Sequence, residues 1–221
     1  MSYTYLDKQD YVKAVELLQK SCDDGFAPGC GVLGLMYARG NGVRRDNSKA
    51  IELYRKSCDD GDALGCGALA SMYRDGFGVE QDDFKAIELY QKACDDGAAT
   101  DCSLLGFMYA KGKGVEQDDF KAAELFQKAC NGENAEGCGA LGGLYHLGKG
   151  VMQDHFKAAG LFQKSCDGGV AAACGALGVL YENGSGVEKD IDQAFSYFEK
   201  ACNLKNPKGC EHYERLKEGG K

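Results

Sequence analysis

The sequence lacks a surplus of positive charge and lacks long apolar runs, and these absences exclude several classes of function. Its 221 residues carry a net charge of −8. A chain of this charge has no basic field to attract a phosphate backbone or an anionic lipid surface, so we predict that nucleic acid is not a partner. No run of about 18 or more apolar residues occurs, so the sequence predicts no membrane span.

The sequence also begins without the features of a secretory leader. Its first residues, MSYTYLDKQDY, contain neither a basic segment nor an apolar segment of the kind found in signal peptides. Two interpretations follow: the protein stays in the cytoplasm, or a leader has been removed and replaced by a start methionine. The 12 cysteines have to decide between them.

What the sequence does contain is an internal repeat of 36 residues. A cysteine recurs at this period without insertion, at Cys22, Cys58, Cys94, Cys130, Cys166 and Cys202. A fixed period in this range indicates a repeat architecture. We therefore divide the chain into an N-terminal lead-in (1–9) and six repeats: 10–45, 46–81, 82–117, 118–153, 154–189 and 190–221, the last with a C-terminal cap.

The residues before each of these cysteines predict an amphipathic helix, which we call helix A. In the second repeat its buried stripe is Ala50, Leu53, Tyr54 and the cysteine, at the i, i+3, i+4 spacing of one helix face. An aspartate precedes the stripe in every repeat and can cap the free N–H groups: Asp10, Asp46, Asp82, Asp118, Asp154 and Asp190. The exposed face is nearly uniform, and its Glu and Lys residues, such as Glu52 and Lys56, are spaced for i,i+4 ion pairs.

A second cysteine, eight positions after the first, opens another helical stripe, helix B. In the first five repeats it carries a leucine three residues later and a glycine or alanine four residues later, the latter small enough for close helix approach. A glycine then supplies a left-handed stop, and a G-x-G-V connector leads to the next aspartate. No strand pattern appears. We predict an all-α fold, an α-solenoid of six helical hairpins.

The paired cysteines favour disulfides. In one continuous helix their Cα atoms would lie about 12 Å apart, whereas a disulfide tolerates at most about 7 Å. A bond therefore requires the chain to reverse, and turns such as DDGAAT allow this. We predict that each first cysteine bonds to the second cysteine of its own repeat, namely Cys30, Cys66, Cys102, Cys138, Cys174 and Cys210. Each bond would contribute roughly 2–3 kcal/mol.

Two alternatives remain for the cysteines. Reduced cysteine packs well as a small core residue, and this is the stronger alternative. Metal binding is weaker, because the nearest cysteines are eight positions apart and the three histidines, His146, His155 and His212, are dispersed. We therefore predict no metal and no cofactor. Disulfides persist in oxidising compartments, so we expect a secreted or periplasmic protein whose leader has been removed.

The repeat frame resembles a known family. The pattern A-x-x-L-[YF]-x-K-[AS]-C-D-D-G, followed by C-G-x-L-G-x-x-Y-x-x-G-x-G-V-x-x-D, is similar to Sel1-like repeats, which are relatives of the tetratricopeptide repeat. The cysteine pair in each hairpin narrows the resemblance to the secreted Helicobacter cysteine-rich proteins, Hcp. The resemblance implies a right-handed superhelix of disulfide-bridged hairpins, export from the cell, and partner-protein binding, or penicillin binding with weak β-lactamase activity. Glu133 and Lys205 depart from the pattern by replacing glycine in two turns.

The residues themselves do not support the β-lactamase activity. A serine β-lactamase uses S-x-x-K together with S-D-N and K-T-G; no serine here has lysine three residues later, and neither other motif occurs. A zinc β-lactamase needs clustered histidines. We therefore predict no catalytic residues and a monomeric scaffold that binds a protein or peptide. The alternative is a penicillin-binding protein whose ligand is a β-lactam or a cell-wall fragment.

Helix B varies at positions that we take as a candidate binding strip. Residues five and nine after the second cysteine lie four apart and fall on one face of the helix. The strip comprises Leu35, Arg39, Ser71, Asp75, Phe107, Lys111, Leu147, Val179 and Asn183. Leu35, Phe107 and Leu147 are candidate anchors for an apolar partner. Alternatively they pack between neighbouring repeats, and the strip could lie on either the concave or the convex face.

Overall fold

The structure, a computed structural model, describes residues 8–219, which form twelve α-helices and no β-strand. Odd-numbered helices are the predicted helices A and even-numbered helices are the predicted helices B. Their bounds are α1 Lys8–Asp23, α2 Ala27–Arg39, α3 Asn47–Asp59, α4 Ala63–Asp75, α5 Asp83–Asp95, α6 Ala99–Lys111, α7 Asp119–Asn131, α8 Ala135–Leu147, α9 His155–Asp167, α10 Ala171–Asn183, α11 Ile191–Asn203 and α12 Pro207–Gly219. The predicted all-α solenoid class is confirmed.

No helix within residues 8–219 has the length and apolar character needed to cross a membrane.

Aspartate caps explain where five of the helices A begin. Asp46 precedes α3 in an extended conformation, and its Oδ1 accepts a hydrogen bond from the backbone N–H of Lys49 at 3.0 Å. This bond satisfies one of the free donors at the helix start. The same cap recurs at Asp82, Asp118, Asp154 and Asp190.

The first repeat begins differently from the prediction. Helix α1 already includes Lys8, so Asp10 lies within its first turn and does not occupy the capping position. Residues 1–7 of the predicted lead-in are outside the described residues, whereas residues 8 and 9 belong to α1.

The turn between helix A and helix B needs a left-handed residue. Four repeats place glycine there, with φ between 87° and 92°. Glu133 and Lys205 adopt the same conformation in their repeats, with φ of 62° and 65°. A side chain in this region is strained because Cβ approaches the following carbonyl oxygen. The sequence departure at these two residues is therefore a local stability cost that the fold tolerates.

The structure contains the predicted disulfides at the necks of the hairpins. Five bonds join the last turn of a helix A to the first turn of the next helix B, with Cα–Cα distances between 4.4 and 4.7 Å: Cys22–Cys30, Cys58–Cys66, Cys130–Cys138, Cys166–Cys174 and Cys202–Cys210. Cys94 and Cys102 are oxidised as well. No free cysteine occurs in the described part of the chain.

The chain forms two compact units, which we call the N-terminal unit (up to Asp101) and the C-terminal unit (from Cys102). In the N-terminal unit α2 packs on α3, α4 packs on α5, and α2 also contacts α4. Gly34 makes one of these contacts possible, because a Cβ there would lie 2.8 Å from the Tyr54 ring. The prediction that small residues allow close helix approach is confirmed at this position.

Lysines also join neighbouring repeats in the N-terminal unit. The Lys56 ammonium donates a hydrogen bond to the carbonyl oxygen of Cys22 at 2.8 Å, and Lys92 donates to the carbonyl oxygen of Cys58. Each lysine thus binds the C-terminal end of the preceding helix A, where positive charge is favourable. The expected ion pair between Glu52 and Lys56 is replaced by other contacts. Glu52 pairs with Lys49 at 3.0 Å, and Lys56 binds the preceding repeat.

In the C-terminal unit α8 packs on α9, α10 packs on α11, and α10 contacts α12. The core cluster around α9 and α10 includes Ala158, Phe162, Leu177 and Leu180, and the connector residue Val187 packs against it. Gly142 admits the Phe162 ring, since a Cβ on this glycine would lie 3.0 Å from it. Helices α8 and α10 both pack on α9, and this arrangement positions the candidate site.

Candidate functional site

The C-terminal unit has an apolar groove between α8 and α10. Its volume is about 570 Å³, and it is lined by Phe107, Glu136, Gly139, Ala140, Phe162, Val170, Ala172, Ala173 and Ala176. Glu136 is the one charged residue of this lining. The groove therefore offers apolar carbon atoms to a ligand, with a single carboxylate at its edge.

Small side chains on two helices create the groove. Helix α8 contributes Glu136, Gly139 and Ala140, which share one face at i, i+3 and i+4. Helix α10 contributes three alanines, including Ala173 and Ala176, also on one face. Because these residues project little beyond their backbones, the two helices leave an open space between them.

Two aromatic residues complete the lining. Phe162 comes from α9 and is 7% exposed, so it belongs to the core as well as to the groove. Phe107 comes from α6 and is held by an edge-to-face contact with Phe126, with ring centroids 4.8 Å apart. This contact fixes the orientation of Phe107. The ring is therefore a preformed apolar surface at the groove.

A buried hydroxyl lies beneath the groove wall. The Oγ of Ser165 is buried and has no hydrogen-bond partner among residues 8–219. A Cβ at Gly139 would lie 2.6 Å from this Oγ, so the hydroxyl sits directly behind the backbone that lines the groove. In the second repeat the equivalent Ser57 pairs with Asp62 at 2.6 Å. Val170 occupies the position of Asp62, which is why Ser165 lacks this partner.

The residues equivalent to the groove lining, two repeats earlier in the N-terminal unit, form a polar cluster. Each residue there lies 72 positions, or two repeats of 36, before its counterpart in the groove. Asp101 corresponds to Ala173, and Tyr90 corresponds to Phe162. Gly67 corresponds to Gly139. The Asp101 carboxylate packs against Gly67 so closely that a Cβ there would lie 2.5 Å from Oδ1. The carboxylate therefore occupies space that the alanine leaves open.

Electrostatics differ accordingly at this polar position. Burial raises the pKa of Asp101 to about 6, and the nearby Arg74 guanidinium acts in the opposite direction. Arg74 itself forms a two-point ion pair with Asp75, at 2.8 Å for each contact, and this hydrogen bonding raises its pKa. The Tyr90 hydroxyl lies 2.9 Å from Ser71 Oγ, and burial raises the pKa of Tyr90.

The N-terminal members of the predicted strip belong largely to such contacts. Ser71 bonds to Tyr90 and Asp75 pairs with Arg74. Leu35 is half-buried, and the exposed Arg39 lies close enough to Tyr54 to influence its pKa, which burial raises. These four residues line helix ends and helix contacts of the N-terminal unit.

The C-terminal members divide into two groups. Phe107 lines the groove, and the Lys111 ammonium lies 5.9 Å from its ring centroid. Val179 is half-buried, Asn183 is exposed at the end of α10, and Leu147 is 60% exposed at the end of α8. The groove thus shares one residue, Phe107, with the predicted strip. As a continuous binding surface the strip stays a prediction.

Sequence reasoning missed the alanines and the glycine of the groove. Their signal was present in one respect: Ala173 stands where four other repeats have glycine and one has aspartate. Small residues at such positions are expected wherever helices pack closely. Comparing the repeats therefore did not mark these residues as part of a binding site.

The repeat frame itself matches a known family. The sequence profile of the Sel1 repeat matches six segments that together cover most of the chain: 3–26, 28–62, 63–97, 101–134, 135–170 and 171–206. The chain is a Sel1 repeat protein. Its repeats belong to a family of helical-hairpin scaffolds, as the sequence pattern predicted.

Solved structures agree with this assignment. The Sel1 repeat protein is similar to a protective antigen of uropathogenic Escherichia coli with an SLR fold, at 31% identity and a TM-score of 0.90. That alignment covers 96% of this chain but 46% of the antigen, so the chain spans less than half of that relative. It is also similar to a Sel1 repeat protein of Oxalobacter formigenes, at 25% identity and a TM-score of 0.77, covering 88% and 86% of the two chains.

The similar solved structures also include a cysteine-rich protein. Helicobacter pylori cysteine-rich protein B is 35% identical to the Sel1 repeat protein, over 62% of this chain and 99% of its own, with a TM-score of 0.49. The predicted Sel1-like repeats are confirmed by the family profile, which matches all six segments. No curated protein sequence matches the chain significantly.

Proposed function

We propose that this Sel1 repeat protein is a non-enzymatic scaffold that works outside the cytoplasm and binds an apolar segment of a protein or peptide in the groove between α8 and α10. The observation that carries the proposal is the groove itself, a concave surface lined mainly by small apolar and aromatic side chains.

The dimensions of the groove support a ligand of peptide side-chain size. A volume of about 570 Å³ lies within the range of sites that enclose small ligands. Interfaces of this kind obtain most of their affinity from one or two large apolar side chains that enter a pocket. Phe107 and Phe162 provide the aromatic surfaces that such a side chain would contact.

The oxidised cysteines support a location outside the cytoplasm. Structural disulfides persist in oxidising compartments and are rare in the reducing cytosol, and the described residues contain no free cysteine. The similar protein of uropathogenic E. coli is described as a protective antigen, which agrees with an exposed location. Counting free thiols in protein purified from its native cell, denatured without reductant, should give nearly none; about twelve would contradict this part of the proposal.

Penicillin binding with weak β-lactamase activity is the alternative function that the family resemblance implies for this protein. No contact within residues 8–219 favours it, and the proposal leaves it aside. Chromogenic cephalosporin turnover that follows the protein through purification, and disappears with a point substitution, would bring it back.

The binding proposal can be tested with a displayed library of random peptides. We expect selection on the oxidised full chain to enrich peptides with a large apolar residue. Their affinity, measured by fluorescence polarisation, should fall at least about tenfold in Phe107→Ala, because the substitution removes an aromatic anchor surface.

Phe156→Ala provides the matched control, because Phe156 is 77% exposed and does not line the groove. It should change the affinity by less than about twofold. Thermal unfolding of both variants establishes that they remain folded. Failure to enrich any peptide, or equal losses in the two variants, would contradict a binding role for the groove.

A further inference from the structure

Two of the three histidines meet at the junction between α8 and α9. His146 lies in the last turn of α8 and His155 is the first residue of α9. Their ring centroids are 4.9 Å apart, with 53° between the ring planes. The histidines look dispersed in the sequence, but the reversal of the chain between the two helices brings this pair into contact.

Both rings have an unsatisfied nitrogen inside the protein. The Nδ1 atoms of His146 and His155 are buried, and neither has a hydrogen-bond partner within residues 8–219. A buried imidazole nitrogen without a partner is costly, and such atoms in native structures call for a specific cause, such as an ion or an ordered water. Here two such atoms occur in one pair of touching rings.

We propose that His146 and His155 together bind one divalent late transition-metal ion, with Cu²⁺ bound most tightly. Imidazole is a preferred ligand for zinc, nickel and copper, and among divalent first-row ions copper forms the strongest complexes with nitrogen donors. The site requires both nitrogens as ligands, each in its neutral form.

The separation of the rings agrees with this ligand geometry. If both Nδ1 atoms point at the ion with metal–nitrogen bonds of about 2.0 Å, a centroid separation of 4.9 Å corresponds to a nitrogen–metal–nitrogen angle of roughly 100°. This angle lies between the right angle of tetragonal copper complexes and the tetrahedral angle of zinc sites. The separation of the rings is therefore compatible with both imidazoles binding one ion.

The composition of the protein makes imidazole the preferred donor. All twelve cysteines are oxidised, so no thiolate competes for the metal. No group of three or more histidine, cysteine, aspartate or glutamate side chains suited to a metal occurs in the described part of the chain. Water or a donor from a bound molecule would thus fill the remaining coordination positions.

The histidine site is separate from the apolar groove. It lies at the end of α8 and the start of α9, whereas the groove uses the first half of α8 and the late part of α9. The connector is tied to the site by Gln153, whose side-chain amide donates to the carbonyl oxygen of His146 at 2.8 Å. A bound metal would cross-link two successive repeats at this point, and the proposal does not depend on peptide binding.

The test is a titration of the oxidised, chelator-treated full chain with copper sulfate. Calorimetry measures the stoichiometry and affinity, and electron paramagnetic resonance identifies the ligands. We expect one saturable Cu²⁺ equivalent, with hyperfine splitting from two imidazole nitrogens. His146→Asn and His155→Asn should each weaken binding at least about tenfold, because each removes one of two protein ligands.

His212→Asn is the matched control, since His212 lies on α12 and stacks on Phe198 instead. It should leave the affinity unchanged within about twofold. The proposal is overturned if the wild-type chain shows no saturable Cu²⁺ site, as expected for a bridging water only. It is also overturned if His212→Asn weakens binding as much as the other two variants. The two-nitrogen signal of the wild-type protein tests the proposal even if a variant fails to fold.

Discussion

The polar cluster of the N-terminal unit and the apolar groove of the C-terminal unit occupy equivalent positions in the repeat. In the first, the Asp101 carboxylate packs over Gly67, and the hydroxyl of Tyr90 bonds to Ser71. In the second, Ala173 and Phe162 stand at the positions of the acid and the tyrosine, and a groove of about 570 Å³ remains. Replacing a carboxylate by a methyl group and a phenol by a phenyl ring thus converts a filled polar contact into an open apolar surface.

This difference separates the features that recur along the chain from those that vary between repeats. The aspartate cap, the neck disulfide and the left-handed glycine recur in both units. These features determine the hairpin and its packing. Residues that line the space between α8 and α10 differ from their counterparts two repeats earlier, so the same hairpin accommodates an alanine or an aspartate at this position.

Disulfide removal should have the largest effect, and the same effect in both units. We expect Cys58→Ala with Cys66→Ala, and Cys166→Ala with Cys174→Ala, each to lower the free energy of unfolding by about 2–3 kcal/mol. The cysteines are eight positions apart in both pairs, so the unfolded chains gain similar freedom. Denaturant titrations followed by circular dichroism measure the losses. A negligible loss in one unit would contradict a shared structural role for the bridges.

The buried acid should make the stability of the N-terminal unit depend on pH. Burial raises the pKa of Asp101 from 3.8 to about 6, so the native state favours the protonated form. The resulting stabilisation is complete below about pH 4 and is lost as the pH rises through about 6. At neutral pH we expect Asp101→Asn to be more stable than the wild-type chain by about 1 kcal/mol, after allowance for solvent screening.

This gain should disappear near pH 4, where the wild-type carboxyl is protonated. Asp60→Asn, on an exposed turn of the same unit, is the control and should show no such trend between the two pH values. Denaturant titrations at both pH values measure the difference. If Asp101→Asn stabilises the protein equally at pH 4 and pH 7, the raised pKa of Asp101 is contradicted.

The smallest effect concerns the turn between helix A and helix B. Glu133→Gly should raise the free energy of unfolding by about 0.5–1 kcal/mol, because it relieves a left-handed backbone with a side chain. Gly61→Glu should lower it by a similar amount; no atom lies within 4 Å of a Cβ at Gly61, so backbone strain alone would act. Thermal unfolding measures both changes, and a loss of stability in Glu133→Gly would contradict the explanation.

The sequence predicted the periodic features well, because each depends on residues that are close together in the chain. Caps such as Asp46 and pairs such as Cys58–Cys66 are recognisable from local spacing alone. The groove was not predicted, because it requires small residues from two helices about 36 residues apart. The contact between His146 and His155 escaped for a similar reason, since it depends on the geometry of the connector.

Ala173→Asp tests the account most directly, because it places the acid of the polar cluster into the apolar groove. The measurement is the affinity of a library-selected peptide for this variant. Ala171→Asp is the control, because it introduces the same charge at the start of α10 at a position that does not line the groove. We predict that Ala173→Asp weakens binding at least about tenfold and that Ala171→Asp changes it by less than about twofold. A folded Ala173→Asp variant that binds the peptide as tightly as the wild-type chain would contradict the account.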